Sequence, residues 1–240
     1  MYIVIEGQDG TGKSTQARLL KEYYEKQGKT VVVMDEPDGD LPQAHDIHDL
    51  IVIRGKDYNM EPMTNVMLFT AARYELWRKI AEPTLRNGGI VISARNWWST
   101  LAYQGYGEGV SKSKIIKLTH EAMPEKYVKP DKGFVLTVSD EIRLKRQDTR
   151  GKKKETFESK PDEFQQRVNH AYPKIAHDFD LEIIDASGTI EEVFNLILRK
   201  LWVIKFSIEP VKLQKLFMIA RFNNSSLFHY QNQIWISNCR

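Results

Sequence analysis

Residues 7–15 constrain this chain more than any other segment. They read Gly7-Gln8-Asp9-Gly10-Thr11-Gly12-Lys13-Ser14-Thr15 and fit the spacing G-x-x-x-x-G-K-[ST]. Ahead of them, Tyr2-Ile3-Val4-Ile5 is an apolar run fit for a buried strand. Behind them, Ala17, Leu20 and Tyr24 repeat at helical spacing. Strand, glycine turn and helix are the setting in which this motif becomes a phosphate-binding loop. Its glycines let successive backbone N–H groups face one concavity that binds anionic oxygens. The helix N-terminus adds unpaired donors and the positive end of a dipole. In such a loop residues 7–15 hold ATP, Lys13 reaches the β- and γ-phosphates, and the Ser14 hydroxyl can hold Mg²⁺. The bland alternative is a glycine-rich turn with a chance lysine, and the flanking strand and helix argue against it.

Five β-rich runs can be placed: Tyr2–Ile5, Thr30–Met34, Ile90–Ser93, Gly133–Val138 and Glu182–Ile184. Helical patterns lie between them, over Lys13–Gln27, Pro62–Arg86, Ser113–Ala122, Asp140–Arg146, Pro161–His177 and Thr189–Leu201. This alternation predicts an α/β fold with a parallel sheet and helices on both faces. Ligands of such sheets bind at the C-terminal ends of the strands. Chemistry is therefore expected at Glu6–Thr15, Asp35–Pro37 and Ala94–Arg95. Residues 202–240 are rich in large apolar side chains but carry no period and no motif. They are set apart as a C-terminal extension beyond a domain spanning 1–201.

Composition removes several function classes. A net charge of +3 creates no global field that demands a nucleic-acid partner. No run of eighteen apolar residues occurs, so no membrane span is expected. The strand-like start leaves no room for a signal peptide. Cys239 is the only cysteine, which excludes an internal disulfide and a Cys-based zinc framework. A cytoplasmic setting is the expectation that fits.

Several further segments occur in a telling order. Ile5-Glu6-Gly7 leads the loop, and Glu36-Pro37 follows the second strand. Leu68-Phe69-Thr70-Ala71-Ala72-Arg73 lies on a helix, and Arg95 follows the third strand. Ser99-Thr100-Leu101-Ala102-Tyr103-Gln104-Gly105 comes next, and Phe164, Arg167, Val168 and Tyr172 close the series. With these residues the chain resembles the thymidylate kinases, P-loop enzymes that phosphorylate dTMP with ATP. The phosphate-binding loop alone is shared by many NTPases, whereas the segment ending Ala-Tyr-Gln-Gly is much more specific. The resemblance covers about residues 1–200. It implies a five-stranded sheet in the order 2-3-1-4-5, a lid, Mg²⁺, ATP as co-substrate, nucleotides as partners and a homodimer.

The residue types also make chemical sense on their own. A nucleoside monophosphate offers one dianionic phosphate and one planar base, and Arg73 and Arg95 can grip the phosphate through forked bonds. The resemblance adds that Arg73 approaches the thymine edge beside Thr100, with Phe69 stacked on the ring. It places Tyr103 under the deoxyribose, and Asp9 near the 3′-hydroxyl and the metal. It also puts Glu36, Ser99 and Gln104 in the substrate site. Taken singly, Phe69 would suit a helix core, Arg73 a surface and Tyr103 nothing in particular.

The basic run from Arg143 to Lys154 is open to three readings: a solvated face, a nucleic-acid patch, or a lid over ATP covering about residues 143–158. In a phosphoryl-transfer enzyme a lid arginine neutralises developing charge. Gly10 stands where some thymidylate kinases carry an arginine in the loop. By resemblance the task then falls to Arg146, beside ATP, and to Arg150, the favoured catalytic arginine with Lys13 and Arg95.

Two positions depart from the family pattern. Ala94 stands where it has Asp, and Asp35 where it has Arg. Either Asp35 supplies the missing carboxylate from the neighbouring strand, or the two changes mark weakened catalysis or another deoxynucleotide substrate. A catalytically weakened nucleotide-binding protein, and a kinase for a different deoxynucleoside monophosphate, therefore stand as alternatives. Three lesser features remain. His45 and His48 could form a metal pair, though an exposed helix or loop is the simpler reading. Gly105-Tyr106-Gly107-Glu108-Gly109 reads as a flexible loop. Trp97-Trp98 suits the cleft and the core equally well.

Overall fold

The computed structural model describes residues 1–39, 41–149 and 155–201. Five strands form one all-parallel sheet: β1 (Tyr2–Glu6), β2 (Val31–Asp35), β3 (Ile90–Ala94), β4 (Lys132–Thr137) and β5 (Glu182–Asp185). Their spatial order is β2-β3-β1-β4-β5, as the resemblance implied. β1 lies at the centre and is buried along its whole length, as expected for a strand covered on both faces.

Alternation along β1 divides the core in two. Tyr2 and Val4 point to one side, with Val91 and Val135, toward Leu76, Trp97, Ala171 and Ile175. Ile3 and Ile5 point to the other, with Ile92, Phe134 and Leu136, toward Ala17, Leu20, Val193 and Ile197. The second layer is built by α1 (Lys13–Glu25) and by the last helix, Ile190–Leu201.

Between these helices the chain forms α2 (Pro42–His48), α3 (Gly55–Tyr58), α4 (Pro62–Leu76), α5 (Glu82–Arg86), α6 (Trp97–Thr100) and α7 (Lys112–Ala122). Then follow α8 (Glu125–Val128), α9 (Asp140–Asp148), α10 (Asp162–Asp178) and the terminal α11 (Ile190–Leu201). The single helix expected over Pro62–Arg86 is α4 and α5 joined by a π-helical turn, Trp77–Ala81. Pro83 lacks the N–H an α-helical ladder needs, and the change of register ahead of it lets the helical path continue.

The flexible loop expected at Gly105–Gly109 is corrected. Leu101–Gly107 is a π-helical turn, and Gly105 and Gly107 are buried. A Cβ on Gly107 would come within 2.5 Å of the Phe164 ring, so glycine there permits close packing against α10. Trp97 and Trp98 are core residues that pack against Phe179, Trp97 edge-to-face and Trp98 at a tilt. No helix among the described residues is long and apolar enough to cross a membrane. Arg150 and the extension 202–240 lie outside the described residues.

Candidate active site

The C-terminal ends of β1, β2 and β3 open into a cleft of about 590 Å³. That volume suits a small-molecule site. Asp9, Gly12, Lys13, Ser14 and Thr15 line it from the phosphate-binding loop. Glu36, Phe69, Arg73, Arg95, Ser99, Thr100, Tyr103 and Gln104 line it from the β2, α4 and β3 side. Thirteen residues expected from the sequence thus share one cavity, although they come from distant parts of the chain.

The loop is shaped by backbone constraints. Gly7 has φ 141°, and a Cβ there would lie 2.6 Å from the Leu136 carbonyl oxygen, so only glycine fits. Gly10 (φ 94°) packs against Arg143, and Gly12 (φ 98°) precedes α1. The Gln8 and Thr11 side chains face inward. Gln8 Nε2 donates to Gln165 Oε1 at 2.9 Å, and Thr11 Oγ1 donates to the Gln8 carbonyl at 2.9 Å. These two bonds brace the loop from within, and Gly7, Gln8, Gly10 and Thr11 stand outside the cleft lining. Lys13 Nζ donates to the Gln8 carbonyl at 2.9 Å and lies 3.8 Å from Asp9 Oδ1.

β3 ends at Ala94, and Arg95 takes φ 89°, which a residue with a side chain rarely adopts. The conformation is held from both sides. Arg95 N–H donates to the Ile5 carbonyl at 3.0 Å, and Ser93 Oγ donates to the Arg95 carbonyl at 2.7 Å. The side chain is thereby aimed at the loop. Arg95 pairs with Asp9 Oδ1 and donates to Ser99 Oγ at 3.1 Å. Tyr103 donates its hydroxyl to Asp9 Oδ2 at 2.7 Å, so both oxygens of Asp9 are engaged. Buried Glu6 accepts from Asn96 N–H at 2.6 Å and from Ser99 Oγ at 2.7 Å, which fixes the start of α6.

A second buried network holds Arg73. Its Nε donates to Glu36 Oε2 at 3.1 Å and its Nη1 to Thr100 Oγ1 at 2.7 Å. Its guanidinium sits 5.4 Å from the Phe69 ring centroid. Glu36 also accepts from the Tyr127 hydroxyl at 2.8 Å, and its Oε1 lies 2.9 Å from Ser93 Oγ, whose single proton it shares with the Arg95 carbonyl. Burial pushes the Glu36 carboxyl up to about 7, against the pull of Arg73 and of the Tyr127 and Ser93 hydrogen bonds. Gln104 is fully buried and donates to Glu108 at 3.1 Å.

Arg146 stands apart from the cleft lining. Its Nη2 donates to the Ala186 and Gly188 carbonyls at 2.9 and 3.3 Å. Phe157 was not singled out from the sequence, yet it lines the cleft, 6.0 Å from Phe69 and 5.9 Å from Tyr103 by ring centroids. An aromatic between Glu155 and Glu158 in a polar segment was the available signal. Asp38 and His48 also line the cleft, and Asp38 accepts from His45 Nδ1 at 2.7 Å.

The donors available to a cation are hard oxygens. Ser14 Oγ donates to Asp35 Oδ1 at 2.8 Å, and both residues line the cleft. A hydroxyl beside a carboxylate suits Mg²⁺, which takes its remaining ligands from water and phosphate. Among the described residues no group of three or more His, Cys, Asp or Glu side chains could hold a metal unaided.

Comparison with known proteins decides the family. The thymidylate kinase profile matches residues 5–197. The chain belongs to the thymidylate kinase family. A thymidylate kinase of Chlamydia caviae is 34% identical over 200 residues, covering 82% of this chain and 95% of the relative. A probable thymidylate kinase of Thermococcus kodakarensis is 37% identical over 204 residues, covering 82% and 95%. A crystal structure of thymidylate kinase from Ehrlichia chaffeensis superposes with a TM-score of 0.65 at 29% identity, covering 84% of this chain and 97% of that one. As in other P-loop kinases, the site of this thymidylate kinase family member is assembled at strand ends and made mainly of charge and hydrogen-bond donors.

Proposed function

We propose that this chain transfers the γ-phosphoryl group of ATP to dTMP, giving dTDP and ADP. The observation that carries the reading is one cleft holding Lys13 of the phosphate-binding loop together with Arg73 and Arg95. A 5′-phosphate oxygen of dTMP forms the new bond to the γ-phosphorus while the bond to the bridging oxygen of ADP breaks. This chemistry asks a protein for alignment and charge stabilisation, not for a covalent nucleophile. Loop amides and Lys13 hold the donor. Arg95 and Arg73 hold the acceptor phosphate, and Arg73 with Thr100 faces the base edge above Phe69. Tyr103 packs under the deoxyribose, beside Asp9. Of the basic run, Arg150 is the favoured arginine for neutralising charge on the transferring group, and Arg146 the one assigned to ATP. Bound Mg²⁺ would neutralise phosphate charge, with Ser14 among its ligands.

The catalytic unit is taken as residues 1–201, with 202–240 outside it. A homodimer is part of the same reading, and Met67 and Tyr74 of α4, both large and exposed, offer apolar surface for one.

Coupled ADP release measured with dTMP, dUMP, dCMP and dGMP tests the assignment. Turnover should be highest with dTMP. Equal turnover with all four, or none with dTMP, would overturn it.

A further inference from the structure

P-loop enzymes hold their Mg²⁺ between the loop hydroxyl and a carboxylate on a nearby strand. β3 ends beside the loop at Ala94, whose side chain has no oxygen to offer. Ala94 is the direct register partner of Asp35, the last residue of β2. The Glu36 N–H donates to the Ala94 carbonyl at 3.2 Å, so the two strand ends are locked together just where the sheet opens into the cleft. From this position the Asp35 carboxylate meets the Ser14 hydroxyl at 2.8 Å.

Four other carboxylates near the strand ends are engaged elsewhere. Glu6 is buried under α6, Asp9 is held by Arg95 and Tyr103, and Glu36 is held by Arg73, Tyr127 and Ser93. Asp38 is taken by His45. Among the described residues, the hydrogen bond to Asp35 comes from the loop serine itself.

We propose that Asp35 is the carboxylate that fixes the nucleotide-bound Mg²⁺ with Ser14, so that the metal-orienting group sits on β2 in this chain and not on β3. This rests on the kinase reading and adds to it a residue and a strand. The carboxylate acts on the ion directly or through one of its waters, and both arrangements make metal affinity depend on its charge. A carboxylate restored at position 94 would stand next to Asp35. It should therefore be redundant while Asp35 is present and effective once Asp35 is neutralised.

The test is Mn²⁺ binding, followed by electron paramagnetic resonance, to the full chain saturated with an ATP analogue whose β–γ bridging oxygen is replaced by NH. Asp35→Asn should weaken Mn²⁺ at least about 10-fold, the loss expected when a metal-orienting group is removed. Analogue affinity in EDTA should stay within about threefold, which also reports the fold. Ala94→Asp alone should change Mn²⁺ affinity by less than about threefold, and adding it to Asp35→Asn should restore most of the loss. Unchanged Mn²⁺ affinity in Asp35→Asn, or a tenfold gain from Ala94→Asp alone, would overturn the proposal. If Asp35→Asn does not fold, Ala94→Asp alone still decides. Failure of the unaltered chain to bind the analogue would count against the kinase reading, not against Asp35 as such.

Discussion

Arg95 and Asp9 form an ion pair across the mouth of the phosphate-binding loop, and Tyr103 holds the other oxygen of the same carboxylate. The residue assigned to grip the acceptor phosphate is thus already aimed by the loop assigned to grip the donor. One carboxylate thus links the residues proposed for the donor and acceptor sites.

Arg95→Ala should therefore damage acceptor use selectively. Loss of a charge-assisted bond to a phosphate is worth about 10- to 100-fold, seen as a raised KM for dTMP. The KM for ATP should change little. Steady-state kinetics with each substrate varied in turn checks this. A loss confined to ATP would place Arg95 on the donor side.

Lys13 lies folded over its own loop, bonded to the Gln8 carbonyl. Lys13→Ala should lower kcat at least about 100-fold, the scale for removing one preorganised charge from a transition state. Thermal melting should stay close to that of the unaltered chain. Near-normal turnover in the folded variant would end the assignment of Lys13 to phosphoryl transfer.

Phe157 joins Phe69, proposed to stack on the base, and Tyr103, proposed to lie under the sugar. Phe157→Leu keeps an apolar side chain but removes both ring contacts. A ring contact from Phe157 to the base would be lost as well, and such a contact is worth about 0.5–1.5 kcal/mol, so the KM for dTMP should rise about 2- to 10-fold. Isothermal titration with dTMP gives the same comparison without turnover. Unchanged dTMP affinity would make Phe157 a packing residue only.

Glu36 carries a pH signature. Burial raises its carboxyl to about 7, above the 4.5 of an exposed group. The folded chain therefore holds this proton more tightly than the unfolded chain. The associated stability is complete below about pH 4.5 and is lost as pH rises through 7. Between pH 6 and pH 8 the loss should be roughly 1 kcal/mol. Urea unfolding at the two values should show it, and Glu36→Gln, which cannot titrate, should remove that component. Equal pH slopes in the two proteins would exclude Glu36 as the source.

The local parts of this protein were legible in its residues because each follows from short-range rules. The loop motif between a strand and a helix, and the alternation of strands with helices, needed only steric and periodic arguments. Helix Pro62–Arg86 was read correctly as a path but missed its π-helical turn, because apolar spacing does not report a change of hydrogen-bond register. The flexible loop expected over Gly105–Gly109 rests on glycines that look like freedom, and its first three residues belong instead to the π-helical turn Leu101–Gly107. Packing of Gly107 against Phe164 shows that this glycine provides room.

The sequence by itself determined the phosphate-binding loop, the two arginines and the departures at Ala94 and Asp35, since all of these are identities at positions. Only the tertiary structure decided which groups meet. Asp35 and Ala94 become partners because β2 and β3 pair in parallel with that register. Ser14 reaches Asp35 because the loop leaves β1, one strand further into the sheet, and turns back over the strand ends. Phe157 closes on Phe69 because a segment more than eighty residues away returns over the cleft. Such contacts depend on long-range packing, which no local pattern of residues encodes.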